Sequence, residues 1–163
     1  MSELEFVQPL CNLVPDSRIV HYTTIIPHDI EQAEKIIISG TALADFDYLR
    51  ADFSWLNNFT KPVLGICAGA QLIARAFAWE LVDETTIGVK PLTITTDNVL
   101  VNSDFTAYFL HTKGIRGTFV TLAKLRETPV LFKHPSREIY GSVFHPEVLN
   151  PELITAFLNI KHK

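Results

Sequence analysis

The chain has 163 residues, 47% of them hydrophobic and 20% charged, with a formal net charge of −4. That apolar content is enough for one compact domain over residues 1–163 with a real core, and it excludes a disordered or fibrous chain. Without a basic block there is no electrostatic footprint for nucleic acid or an anionic membrane, and no apolar run reaches the roughly 18 residues of a membrane span.

The amino-terminal "MSELEFVQPL" carries acids where a signal peptide carries Lys or Arg, so export is not expected. Leu4, Val7, Cys11 and Val14 recur at helical spacing, interrupted by Pro9. From residue 18 strand-like and helix-like segments alternate, which predicts an α/β unit. "RIVHYTT" (18–24) reads as a strand, "HDIEQAE" (28–34) as a short helix and "KIIISG" (35–40) as a buried strand closed by Gly. In "DFDYLRADFSWLNNFT" (45–60), Phe46, Leu49, Phe53, Leu56 and Phe59 are three and four apart, which predicts a helix with one apolar face. "PVLGI" (62–66) is a continuous apolar strand, and "AGAQLIARAFAWEL" (68–81) a helix with Leu72, Ala76 and Trp79 on one side. After residue 84 the segments "TIGVKPLTITT", "FTAYFLHT", "GTFVTLAKL", "PVLFKH" and "EIYGSVFH" are all strand-like, separated by turn residues. "NPELITAFLNIKH" (150–162) closes as a helix, with Asn150 as N-cap and Pro151 at its first position.

Cys67 stands at the junction of a predicted strand and a predicted helix, the carboxyl edge of a parallel sheet where ligands of open α/β folds bind. Gly65 and Gly69, two residues to either side, clear a sharp turn by the logic of a nucleophile elbow. The helix that begins at Ala68 turns its amides toward the sulfur, and its dipole favours the reactive thiolate. On this motif alone a small buried hydrophobe at a tight turn is an equal reading. Only Cys11 and Cys67 are present, too few for a disulfide framework and without zinc-ligand spacing. A reducing cytoplasm and no metal are expected.

A nucleophile needs a base. His21, His28, His134 and His162 lie mid-strand, beside prolines or at the terminus, and read as structural or surface residues. His145 ends the strand-like "YGSVFH", and Glu147 follows two residues on across Pro146. In extended chain those two side chains project the same way, so the carboxylate can hold the imidazole tautomer. The chain thus carries Cys, His and Glu in the order of a nucleophile, a base and its orienting acid.

"PVLGICAGAQLIARAF" together with "YGSVFHPEV" resembles the class I, or triad, glutamine amidotransferase family, whose elbow is Gly-x-Cys-x-Gly-x-Gln and whose partners are His-Pro-Glu near the carboxyl end. "IIISGTAL" (36–43) is similar to the family's strand and oxyanion loop. The resemblance implies a flavodoxin-like, mostly parallel open sheet flanked by helices, with a strand-rich second half and without the family's first strand. It implies that Cys67 attacks the glutamine side-chain amide, His145 shuttles the proton and Glu147 orients His145. It implies further that the oxyanion rests on the backbone amides of Ala68 and of Gly40 and Thr41, and that Gln71 and His111 contact the substrate. Thr41 and Ala42 stand where the family has Gly and Pro. The activity implied is a glutaminase subunit, needing no cofactor, that hydrolyses L-glutamine through a Cys thioester and passes ammonia to a separate synthetase. A γ-glutamyl hydrolase or peptidase acting alone, and a non-catalytic regulatory relative, are the alternatives.

Overall fold

The computed structural model describes residues 4–40 and 52–161. The chain opens with α1 (Leu4–Leu13), a 3-10 turn at Tyr22–Thr24, α2 (Pro27–Gln32) and β1 (Ile36–Ile38). After a second 3-10 turn, Ser54–Asn57, come β2 (Val63–Ile66) and α3 (Ala68–Ala76). Four strands follow, β3 (Glu80–Ile94), β4 (Phe105–Arg116), β5 (Val120–Leu125) and β6 (Thr128–Lys133), and then β7 (Ile139–Ser142), α4 (Pro146–Leu149) and α5 (Pro151–Leu158).

The strands form one open sheet in the order β1-β2-β7-β6-β5-β3-β4. The α/β architecture and the open sheet are as expected, but the sheet is mixed rather than mostly parallel, with parallel pairing confined to β1, β2 and β7. The other four pairings are antiparallel. Chain length between strands decides this: the two residues joining Leu125 to Thr128 permit only a hairpin, whereas parallel neighbours need a long crossover.

All four residues of β2 are buried, as a strand covered on both faces requires. Gly65 faces α3, where a Cβ would lie 2.6 Å from the Gly69 backbone. Leu64 faces the other way, in register with Tyr140, whose ring meets Phe157 of α5 edge-on at 6.4 Å. Helices therefore cover both faces of the parallel part. The core is made of side chains such as Leu64, Ile66, Ile73, Phe132, Phe144 and Phe157, each contributing about 1.5–3 kcal/mol by burial.

Four expected elements differ. Residues 18–24 form no strand; His21 Nδ1 accepts the Thr23 amide, and the Thr24 hydroxyl donates to the His21 carbonyl. Such local bonds compete with a sheet ladder. The first part of the expected helix 45–60 lies outside the described residues. In its second part Phe53, Leu56 and Phe59 are buried as anticipated, but their uniform spacing of three suits the tighter 3-10 turn at Ser54–Asn57, with the Asp52 carboxylate accepting the Ser54 amide. α3 stops at Ala76 because Ala78 takes the left-handed conformation (φ 57°) and Trp79 N–H donates back to the Ala74 carbonyl at 2.8 Å. Trp79 then packs on Phe119 and Phe132, and β3 starts at Glu80. Asn150 precedes α5, but its side chain makes no cap bond; its Nδ2 donates to the Thr106 carbonyl at 2.9 Å.

Candidate functional site

The site is built at the carboxyl ends of the three parallel strands. Gly40 lies two residues past β1, Cys67 one residue past β2 and His145 three residues past β7. Because these strands are adjacent and in register, their ends bring together residues far apart in sequence. A Cβ on Gly40 would stand 3.0 Å from His145 Cε1 and 3.5 Å from Cys67 Cβ.

Cys67 has φ 52° and ψ −104°, a strained conformation for a residue with a side chain. The surroundings that impose it are backbone: Cys67 N–H donates to the Ser142 carbonyl at 2.7 Å, and the Cys67 carbonyl accepts the first helical bond of α3, from Gln71 N–H at 3.1 Å. Ala68 begins that helix, so its amide is among those without an intrahelical acceptor and remains directed at the elbow. The sulfur lies 3.6 Å from the Leu110 carbonyl. Gln71, one turn along α3, is buried.

His145 is reached by a different route from the one its sequence implies. β7 ends at Ser142, where Ser142 Oγ donates to the Phe144 carbonyl at 2.9 Å and turns the chain. His145 is the N-cap residue of α4, Pro146 its first residue and Glu147 part of its first turn. The pairing itself is the expected one: His145 Nδ1 and Glu147 Oε1 are 2.7 Å apart, with both side chains 2% exposed. The residue is held further by its backbone N–H, which donates to the Tyr108 carbonyl at 2.8 Å. Burial by itself lowers the pKa of His145, but hydrogen bonds and charge from Cys67 and Glu147 outweigh it and push the value up to about 10.

That shift has a consequence for stability. A histidine raised from 6.5 to about 10 stabilises the folded chain fully below 6.5, and the contribution is lost as pH rises through about 10. Thermal melts between these limits should show a decline from the histidine pair that Glu147→Gln moves to lower pH. A decline unmoved by that substitution would separate it from the pair.

His111 lies on β4 opposite Thr86, beside a bulge in β3 between Asp83 and Thr86. It is buried, its Nδ1 is 2.9 Å from the Lys113 carbonyl, and burial holds its pKa below the ordinary value. Since a carbonyl only accepts, Nδ1–H donates to Lys113, and Nε2 has no partner within hydrogen-bond distance among the described residues. Thr41, the other expected oxyanion donor, lies outside the described residues. The carbonyls of Tyr108 and Leu110 are site groups that sequence reasoning missed, because β4 stands at the far end of the strand order from β2 and β7 and meets the elbow through a tertiary contact between strands that are not neighbours. Among the described residues no cluster of three or more His, Cys, Asp or Glu could hold a metal ion, and no helix is long and apolar enough to cross a membrane.

The family model for glutamine amidotransferase class-I matches residues 6–160. The glutamine-hydrolysing GMP synthase subunit of Methanococcus maripaludis strain C5 is 36% identical over 104 residues, 58% of this chain and 55% of that protein. The chain thus aligns with about half the length of that relative. The protein of the same name from Methanosarcina barkeri strain Fusaro is 28% identical over 162 residues, 91% of this chain and 85% of the relative. A crystal structure of a candidate GMP synthase subunit from Thermoplasma acidophilum has the same fold, with a TM-score of 0.83 over 93% of this chain and 86% of that one, at 23% identity.

Proposed function

Since the chain belongs to the glutamine amidotransferase class-I family, we propose that it is a glutaminase subunit, hydrolysing L-glutamine and delivering ammonia to a separate synthetase chain that forms GMP. The observation that carries the reading is the convergence of Cys67, in its strained elbow, with the buried His145–Glu147 pair at 2.7 Å. The Cys67 sulfur attacks the side-chain amide carbon of glutamine. The negative charge on oxygen rests on the Ala68 amide and on amides of the Gly40–Thr41 loop. His145 gives a proton to the departing nitrogen, so ammonia leaves and a thioester remains. A water then gives its proton to His145 and adds to the thioester carbon, the C–S bond breaks, glutamate is released, and the Cys67 thiolate beside protonated His145 is restored. Glu147 holds His145 in register throughout, while Gln71 and His111 contact the substrate. Both cysteines are free thiols, the state this chemistry needs and a reducing cytoplasm maintains.

The test is glutamate release by the isolated chain from glutamine and from γ-glutamyl peptides, without and with a GMP-forming synthetase chain. Preference for free glutamine and acceleration by the synthetase are expected. Faster cleavage of the peptides, unaffected by the synthetase, would replace this reading with a γ-glutamyl hydrolase.

A further inference from the structure

α4 is a single turn of four residues, too short to be stable by itself, and its Val148 and Leu149 side chains are exposed. It nevertheless carries Glu147, whose carboxylate lies 2.7 Å from His145 Nδ1. Hydrogen bonds fix the turn at its two ends. At the start, His145 N–H donates to the Tyr108 carbonyl at 2.8 Å. At the exit, Asn150 N–H closes the turn on the Pro146 carbonyl at 2.7 Å, and Asn150 Nδ2 donates to the Thr106 carbonyl at 2.9 Å. Thr106 and Tyr108 are alternate residues of β4, so their carbonyls point to the same edge of the strand; Leu110, next in that alternation, presents its carbonyl to the Cys67 sulfur. β4 ends the strand order with β3 on its other side, and among the described residues no further strand pairs with this edge, which leaves it to hold the turn.

An Asn immediately before a helix ordinarily turns its side chain back to accept an amide of the first turn. Asn150 precedes α5 and makes no such bond. It is 3% exposed, and its Oδ1 meets no hydrogen-bond donor among the described residues, a cost that the bond to Thr106 has to offset. We infer that Asn150 is a positioning residue, whose side-chain bond to β4 holds α4 so that Glu147 stays against His145; the inference rests on the glutaminase reading. With that bond gone, the exit of α4 is free to swing about His145, the Glu147 carboxylate leaves Nδ1, and the imidazole loses the group that orients it. The titratable groups facing His145 are Cys67 of the elbow, Glu147 of α4 and His111 of β4. Of these Glu147 alone rides on α4, so a displaced turn removes the carboxylate and leaves the other two in place, which gives the displacement a signature in the titration of His145.

The test uses the full chain with Asn150→Ser, which keeps a good helix cap but is too short to reach Thr106, and Asn159→Ser, exposed at the far end of α5, as control. Three quantities are measured, each with Glu147 intact and in the Glu147→Gln background: steady-state glutamate release from glutamine, thermal melts by circular dichroism, and the NMR titration of the His145 imidazole. With Glu147 intact, Asn150→Ser should lower kcat about tenfold to a hundredfold with KM within about twofold of wild type. The His145 midpoint should fall by about half a pH unit or more, the direction in which Glu147→Gln also moves it. In the Glu147→Gln background the same substitution should change kcat by no more than about twofold and leave the midpoint where it is, because the group it acts through is already gone. The control should behave as wild type. A His145 titration untouched by Asn150→Ser, or a rate loss equally large in both backgrounds, overturns the inference and makes Asn150 a packing residue. Asn150→Thr, closer to Asn in size, is measured in parallel and decides the matter by the same criteria if Asn150→Ser does not fold. If the wild type released no glutamate under any condition, the glutaminase reading would fall, while the His145 titrations would still decide whether Asn150 holds the pair.

Discussion

Replacing Cys67 by Ser, or His145 by Ala, is expected to lower glutamate release from glutamine by about 10⁴-fold or more with the fold retained. Cys67→Ser keeps the shape of the side chain and leaves the elbow's backbone bonds to Ser142 and Gln71 in place, so the loss would report the nucleophile itself. On the proposed mechanism, His145→Ala removes the group that both serves the sulfur and protonates the leaving nitrogen. Because the members of such a unit act together, the double variant should be no worse than either single one. Glu147→Gln keeps an acceptor beside Nδ1 and removes the charge, so a measurable residue of activity should survive, with its alkaline limit below the value of about 10 that the intact pair sets. Steady-state glutamate release, with circular dichroism to establish folding, checks all four. Full activity in His145→Ala would transfer the base to another residue, and His111 would be the first to test.

The largest expected effect on stability is at Gly69. A Cβ there would lie 2.0 Å from the Ile38 carbonyl oxygen and 2.7 Å from its carbon. Both are backbone atoms of β1, which is held in register by β2, so neither can yield as a flexible side-chain tip could. Gly69→Ala must therefore force α3 away from the sheet, at about 3 kcal/mol or more, which lowers the melting temperature by roughly 6–12 °C. Since α3 carries the elbow at its first turn, any folded fraction should also be impaired in glutamate release. A melting temperature within about 2 °C of wild type would show that α3 does not pack against Ile38 as described.

The parts of the molecule that were legible in the sequence are those fixed by local pattern. The apolar run 63–66 could only be a strand covered on both faces, and Gly-x-Cys-x-Gly announced a turn with no room for side chains. Phe53, Leu56 and Phe59 announced a buried stripe. What was not legible depended on competition between neighbours. Residues 18–24 have strand-forming composition, but Thr23 and Thr24 bond locally to His21. The end of α3 was hidden because an Ala, not a Gly, takes the left-handed position at residue 78. His-Pro-Glu supported two readings, a catalytic pair and an ordinary helix entry; in the structure the helix entry is the device that brings the pair together. The roles of Tyr108 and Leu110 rest on a tertiary contact between β4 and the elbow, which are not neighbours in the sheet, and no local pattern contains it.

The elbow is assembled from the two ends of the sequence. β2 is paired on one side with β1 and on the other with β7, and the residues between β2 and β7 include the entire antiparallel half of the sheet. Closing that loop has a high entropic cost and slows the pairing of β2 with β7. On a ribosome Cys67 emerges well before His145, and during that interval its thiol has neither the imidazole nor the Ser142 carbonyl that fixes its backbone. On the glutaminase proposal, a nascent or partly folded chain would therefore be unable to consume glutamine until its carboxyl-terminal segment has docked.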